Sequence, residues 1–252
     1  MLLEGKNAVI YGGAGAIGSA VAKAFAREGA RVFLAGRTQA TLDAVAEDIR
    51  AARGEAHGTA LDARDQRAVD AFVDGVAARA GSVDVSFNLI SHGDVQGTPM
   101  ADMQVEDFMR PIDTAVRSTF ITTRAAARHM MPQRNGAILI FGGSGDPVPD
   151  YSIGGFQVGL HALEAMRRQL SSELGRYGIR VITLKTGGTP ESLPAGLGDR
   201  ERLEEMLTDA TMLKRTATLD DVGNAAAFAA SDRARTMTAA TINISCGALI
   251  DP

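Results

Sequence analysis

Two short polar runs carry the side chains best suited to moving a proton. Ser91-His92-Gly93-Asp94 groups a hydroxyl, an imidazole and a carboxylate within four residues. An imidazole titrates near neutrality, so His92 could serve as acid or base. Ser144-Gly145-Asp146 offers a second hydroxyl and carboxylate, and Tyr151 follows with a phenol. In this reading His92 and Ser144 face a reacting centre, and Asp146 stands behind to orient the imidazole or deprotonate a bound molecule. Tyr151 either joins the chemistry or lines the pocket mouth. His57, His129 and His161 read as ordinary structural residues. Cys246 is the only cysteine, so no disulfide can form within the chain, and four-cysteine zinc sites are excluded. So few histidines and one thiol argue against a dedicated transition-metal site.

A second chemistry is written in glycine. Gly12-Gly13-Ala14-Gly15-Ala16-Ile17-Gly18 follows the apolar run Asn7–Tyr11 and opens a helical pattern. Glycines let a backbone turn tightly against a pyrophosphate, while a helix start supplies free N–H groups and the positive end of a dipole. The next apolar run ends in Gly36-Arg37-Thr38, with no Asp. An Asp there would hold a ribose 2′-hydroxyl and repel a 2′-phosphate. The Arg37 guanidinium suits a phosphate instead, and Thr38 adds a hydroxyl. The expected cofactor is therefore NADP(H) in preference to NAD(H).

These residues need a frame. Apolar runs at Asn7–Tyr11, Arg31–Ala35, Ala56–Leu61, Val83–Leu89, Ala137–Phe141, Arg180–Leu184 and Thr241–Ile244 read as strands. Helical spacing fills Ile17–Glu28, Gln39–Arg53, Asp65–Ala80, Val105–Met131, Ile153–Arg176 and Leu219–Ala230. Such alternation predicts an α/β fold: one doubly wound parallel sheet of about seven strands with helices on both faces. Asp65 and Asp220 stand where helix N-caps are expected. The whole of 1–252 reads as a single dinucleotide-binding domain, since no linker interrupts it. A Gly- and Pro-rich stretch at about 186–213 follows a strand end and is expected to be a mobile lid.

Composition narrows the partners. Hydrophobic residues form 45% of the 252-residue chain, enough for a sizeable core, and the net charge is −4, which gives no pull toward nucleic acid. No apolar run escapes charge long enough to span a bilayer, and the N-terminus does not read as a signal peptide. A cytoplasmic protein acting on a small molecule is expected.

Together these motifs resemble the short-chain dehydrogenase/reductase family over nearly the whole chain. The family's turn Thr-Gly-x-x-x-Gly-x-Gly corresponds to Tyr11–Gly18, with Tyr11 for Thr and Ala16 for the middle Gly. Asp62-Ala63 matches its adenine-contacting pair. Asn88 is the surviving Asn of its Asn-Asn-Ala-Gly, placing Ile90 near the cofactor. Thr186-Gly187 stands for its Pro-Gly, which brings Gly187 and Gly188 to the nicotinamide end. The resemblance implies an Asn-Ser-Tyr-Lys catalytic set. Counted from Gly178-Ile179-Arg180-Val181, its Tyr falls on Phe156, its Lys on Leu160 and its Ser on Gly143, and the Asn falls on Ala115.

The expectation is thus an atypical oxidoreductase. Its substrate would be bulky and apolar, a carbonyl, quinone or polyketide-like molecule facing Phe156, Leu160, Met100, Met103 and Met109. An oxygenase or cyclase of aromatic natural products, and a catalytically silent NADP(H) sensor or partner protein, are the alternatives. The resemblance also implies a homotetramer or dimer through the helices 105–131 and 153–176.

Overall fold

The computed structural model describes residues 1–143, 152–193 and 200–250. Seven strands form one sheet in the order β3-β2-β1-β4-β5-β6-β7, and every neighbouring pair is parallel. The strands are β1 Asn7–Tyr11, β2 Arg31–Gly36, β3 Glu55–Ala60, β4 Val85–Asn88, β5 Gly136–Gly142, β6 Ile179–Lys185 and β7 Ala240–Asn243. The helices are α1 Ala16–Arg27, α2 Gln39–Ala51, α3 Gln66–Ala80, α4 Val105–Gln133, α5 Phe156–Leu174, α6 Arg200–Asp209 and α7 Leu219–Ala230.

Strand order reverses between β1 and β4, which pair through Ala8↔Val85 to Tyr11↔Asn88. At that switch the two following loops diverge to opposite faces and leave a crevice at the carboxyl edge. The central strand β1 is buried at every residue, as its uninterrupted apolar sequence requires of a sheet covered twice. One core layer joins Phe25 of α1, Leu42 of α2 and Val222 of α7 to Leu34 and Leu184; the other joins Val73 of α3, Met130 of α4 and Leu163 of α5 to Val9 and Ile140.

Several boundaries differ from the sequence expectation. The helix expected from Ile153 begins at Phe156, because Gly154 takes a left-handed φ of +51° and turns the chain first. Asp65 caps α3, its carboxylate accepting from the N–H of Arg67 and Ala68. Asp220 does not cap α7. Thr218 does, accepting from Asp221 N–H while Asp221 accepts from Thr218 N–H, a reciprocal box that places Asp220 inside the first turn. The stretch expected to be a lid contains helix α6, preceded by a short turn at Pro190–Ser192; residues 194–199 lie outside the described residues. Among the described residues no helix is long and apolar enough to cross a membrane.

Candidate active site

The turn after β1 is held from both neighbouring strands. Gly12 and Gly13 N–H donate to Ala35 O at 2.8 and 3.2 Å, and Leu89 N–H donates to Tyr11 O at 2.9 Å. Gly12 has φ +71°, and a Cβ there would stand 2.5 Å from Leu89 O. Gly18, inside α1, lies so close to Gly12 O that any side chain would displace the turn. These two positions admit only glycine, and the backbone they allow curls around the start of α1. The cradle thus has the shape and the N–H donors that a pyrophosphate needs.

Two cavities meet at this turn, sharing Gly12, Gly15, Ile90, Ser91 and His92. The first, about 460 Å³, runs over β1 and β2 and is lined by Ala14, Arg37, Thr38, Asp62, Ala63, Arg64, Arg110 and Thr114 among others. Asp62 accepts from Arg64 N–H at 2.9 Å and from its guanidinium at 3.2 Å, and these bonds lower its pKa below the ordinary carboxylate value. Arg64 is therefore committed, whereas Arg37 and Thr38 stand exposed at the rim. Arg37 makes no ion pair among the described residues. Arg110 and Thr114 escape sequence reasoning because they come from α4, far along the chain; only the sheet order brings α4 over the crevice.

The second cavity, about 720 Å³, is lined by Ala16, Ile17, Gly18, Asn88, Phe141, Gly143, Phe156, Leu160, Gly187, Gly188 and Leu249, among others. Asn88 sets its floor. Its amide donates to Ser118 Oγ at 2.9 Å, and its carbonyl oxygen accepts from Ile90 N–H at 3.2 Å, fixing the loop after β4 to α4. Phe156 opens α5 and Leu160 stands one turn on. Ala115 lies beneath, fully buried in the contact between α4 and Gly159 of α5. Met100 and Met109 are exposed and Met103 packs on Gly154, so none of the three lines this cavity. Its apolar wall comes from Phe141, Ile153 and Leu249 instead, residues that only the folded chain brings to one edge.

His92 belongs to both cavities, its ring centred 5.8 Å from that of Phe156. Burial against this apolar wall lowers its pKa, and the nearby Asp94 opposes the shift. Asp94 lines the same cavity and accepts from the Gln96 amide. Asp94 therefore occupies the neighbourhood expected for Asp146. Ser144, Asp146 and Tyr151 lie outside the described residues. The other histidines are structural: His57 stacks on Phe33 at 5.4 Å, His129 pairs with Asp74 at 2.7 Å, and His161 is exposed on the outer side of α5.

Residues 12–248 match a family model described as Enoyl-(Acyl carrier protein) reductase. Momilactone A synthase of Oryza sativa subsp. japonica is 34% identical, over 97% of this chain and 90% of its own length. Secoisolariciresinol dehydrogenase of Forsythia intermedia is 31% identical, over 92% and 85%. Among solved structures, a short chain dehydrogenase from Burkholderia cenocepacia J2315 in complex with NADP superposes with a TM-score of 0.86 at 27% identity, covering 98% of this chain and 99% of that one.

Proposed function

We propose a function on the premise that the chain belongs to the short-chain dehydrogenase/reductase family. The protein is an NADP(H)-dependent oxidoreductase for a bulky, apolar carbonyl, quinone or polyketide-like compound. The observation that carries this reading is the larger cavity, where the glycine turn, Asn88 and Ile90 meet a wall of Phe141, Phe156, Leu160 and Leu249, with His92 among them. Gly12, Gly15 and Gly18 would hold the cofactor's pyrophosphate, Asp62 and Ala63 its adenine, and Arg37 and Thr38 its 2′-phosphate. The NADP held by the Burkholderia relative supports the choice of NADP(H).

A nicotinamide held there would supply a hydride to the substrate carbon. The accompanying proton cannot come from the family's Tyr and Lys positions if these fall, as counted, on Phe156 and Leu160. With Gly143 and Ala115 in the Ser and Asn positions, the site is atypical, and His92 takes the proton-handling role. Protonated, it gives its proton to the oxygen that gains negative charge; neutral, it takes one from a hydroxyl in the reverse direction. Because its pKa is lowered, the neutral form prevails at pH 7. Reduction should therefore speed up in acid, and oxidation should weaken there. Ser144, Asp146 and Tyr151 remain proposed helpers.

The test mixes protein, NADPH and a panel of ketones, quinones and polycyclic phenols and follows dihydronicotinamide absorbance. Turnover should survive Phe156→Ala and fall about 10²–10⁴-fold in His92→Ala, the usual span of a positioned acid. Tight NADPH binding with no turnover on any compound would transfer the case to the sensor reading, which the apolar pair Phe156 and Leu160 favours. Oxygen uptake would point to an oxygenase. The exposed Phe120 on α4 and Val158 on α5 support a homo-oligomer built on those helices, which light scattering reads directly.

A further inference from the structure

One buried cation is not used in the reading above. Lys185 is only 6% exposed, yet it ends β6 at the carboxyl edge of the sheet. Alternation along β6 gives the direction of its side chain. Arg180 points toward α7, donating to the carbonyls of Ala229, Ala230 and Ser231, and Ile182 and Leu184 pack in the same layer. Ile179 and Val181 pack in the opposite layer with Leu163 of α5, and Thr183 donates to Glu164 of α5 at 2.5 Å. Lys185 is next on that second face.

The position along α5 follows. From Thr183 to Lys185 the strand advances about 6.6 Å toward its carboxyl end. From Glu164 back to Leu160 the helix retreats about 6 Å toward its N-terminus. A right-handed crossover makes α5 run opposite to β6, so the two steps match. Thr183 lies under Glu164, and Lys185 therefore lies under Leu160. Its register partner on β5 is Gly142, which lines the cavity with Gly143 and Leu160, so Lys185 stands one strand away from that lining without being part of it. A buried ammonium needs a partner, and Lys185 is not without one.

We propose that Lys185 supplies from β6 the positive charge of the reacting end and stabilises negative charge on the substrate oxygen. This rests on the oxidoreductase reading. When the hydride pair adds to the carbonyl carbon, the C–O π pair moves onto oxygen, and that oxyanion is what a fixed ammonium lowers in energy before the proton arrives from His92. Lys185 is a positioning residue, acting by its field across the glycine floor. Quinones suit this step: the first-formed alkoxide takes its proton from His92, and the carbon then loses its C–H proton to water to give the hydroquinone.

The experiment compares wild type with Lys185→Gln and Lys185→Arg, after melts establish that each variant folds. With NADPH and a quinone acceptor, Lys185→Gln should lose about tenfold or more in kcat while KM and NADPH affinity stay within about twofold. Lys185→Arg should restore most of the loss. Retained kcat in Lys185→Gln, or a loss that Arg does not repair, overturns the proposal. If wild type turns over nothing, the oxidoreductase reading fails and 4-nitrophenol decides the rest. Bound to the protein with NADP⁺, its yellow phenolate should form at least about one pH unit lower than in water, and only in wild type and Lys185→Arg. Equal ionisation in Lys185→Gln, or no binding, removes Lys185 from the site altogether. Should Gln fail to fold, Lys185→Met, which keeps the buried stem, replaces it; unfolding of both shows a purely structural lysine.

Discussion

Arg37 and His92 show how one side chain's surroundings fix its use. Arg37 is exposed at the rim of the smaller cavity, while the neighbouring guanidinium of Arg64 is occupied by Asp62. A charge-assisted contact to a 2′-phosphate is worth about 1.5–3 kcal/mol. Arg37→Ala should therefore weaken NADPH binding about 10- to 100-fold and leave NADH within about twofold, as measured by titration calorimetry. Equal losses for both cofactors would remove Arg37 from the 2′-phosphate. His92 gives a stability prediction of definite sign. Its pKa in the folded chain lies below the unfolded value near 6.5. Below that pH the unfolded chain binds a proton that the folded chain resists, so stability falls as pH drops from about 6.5 toward the folded pKa. Above that window the effect vanishes. His92→Phe cannot titrate, so its denaturation midpoint should depend less on pH between 5 and 7 than the wild type's. Parallel curves would show that the His92 pKa is the same in the folded and unfolded chain.

Helix α5 places a wall of the site and α7 packs in the opposite layer, and their starts are set by different devices. Gly155 lies against Phe108 O of α4 so closely that no Cβ fits, which brings the first turn of α5, and Phe156 with it, down onto the crevice. Sequence periodicity cannot register such a contact, since it comes from a helix many residues earlier in the chain. At α7 the signal is local: Thr218 and Asp221 form a reciprocal cap, and Glu191 accepts from Leu219 N–H at 2.7 Å, tying the segment after β6 to this helix. Thr218→Ala should cost about 1 kcal/mol, a drop of about 2–4 °C in Tm at this chain length. NADPH affinity should be unchanged, because neither Thr218 nor Asp221 lines either cavity at the glycine turn. A matching loss of cofactor binding would mean that α7 and the cofactor end move together.

Across the whole molecule, a sheet buried on both faces carries the site on its carboxyl edge. Leu139 of β5 is 1% exposed, in the layer beneath α7, and its truncation to Ala should cost about 2–5 kcal/mol in urea unfolding without moving the edge residues. A smaller cost would mean that the layer closes around the gap. Much of this architecture was legible in the chain. Alternating apolar runs and helical periods specify parallel strands and their crossovers, and Gly12–Gly18 specifies a phosphate turn, because both depend on neighbours close in sequence. Arg37, Asp62, Asn88 and Gly187 could be named for the same reason: each follows a strand end, and strand ends share one edge. What the chain could not declare were the meetings between distant segments. The replacement of Met100 and Met109 by Phe141 and Leu249 in the cavity wall, the arrival of Arg110 and Thr114 from α4, and the place of Lys185 under Leu160 all follow from sheet order and register. Local sequence determines which elements form and which way their residues face, whereas packing alone determines which faces share a cavity.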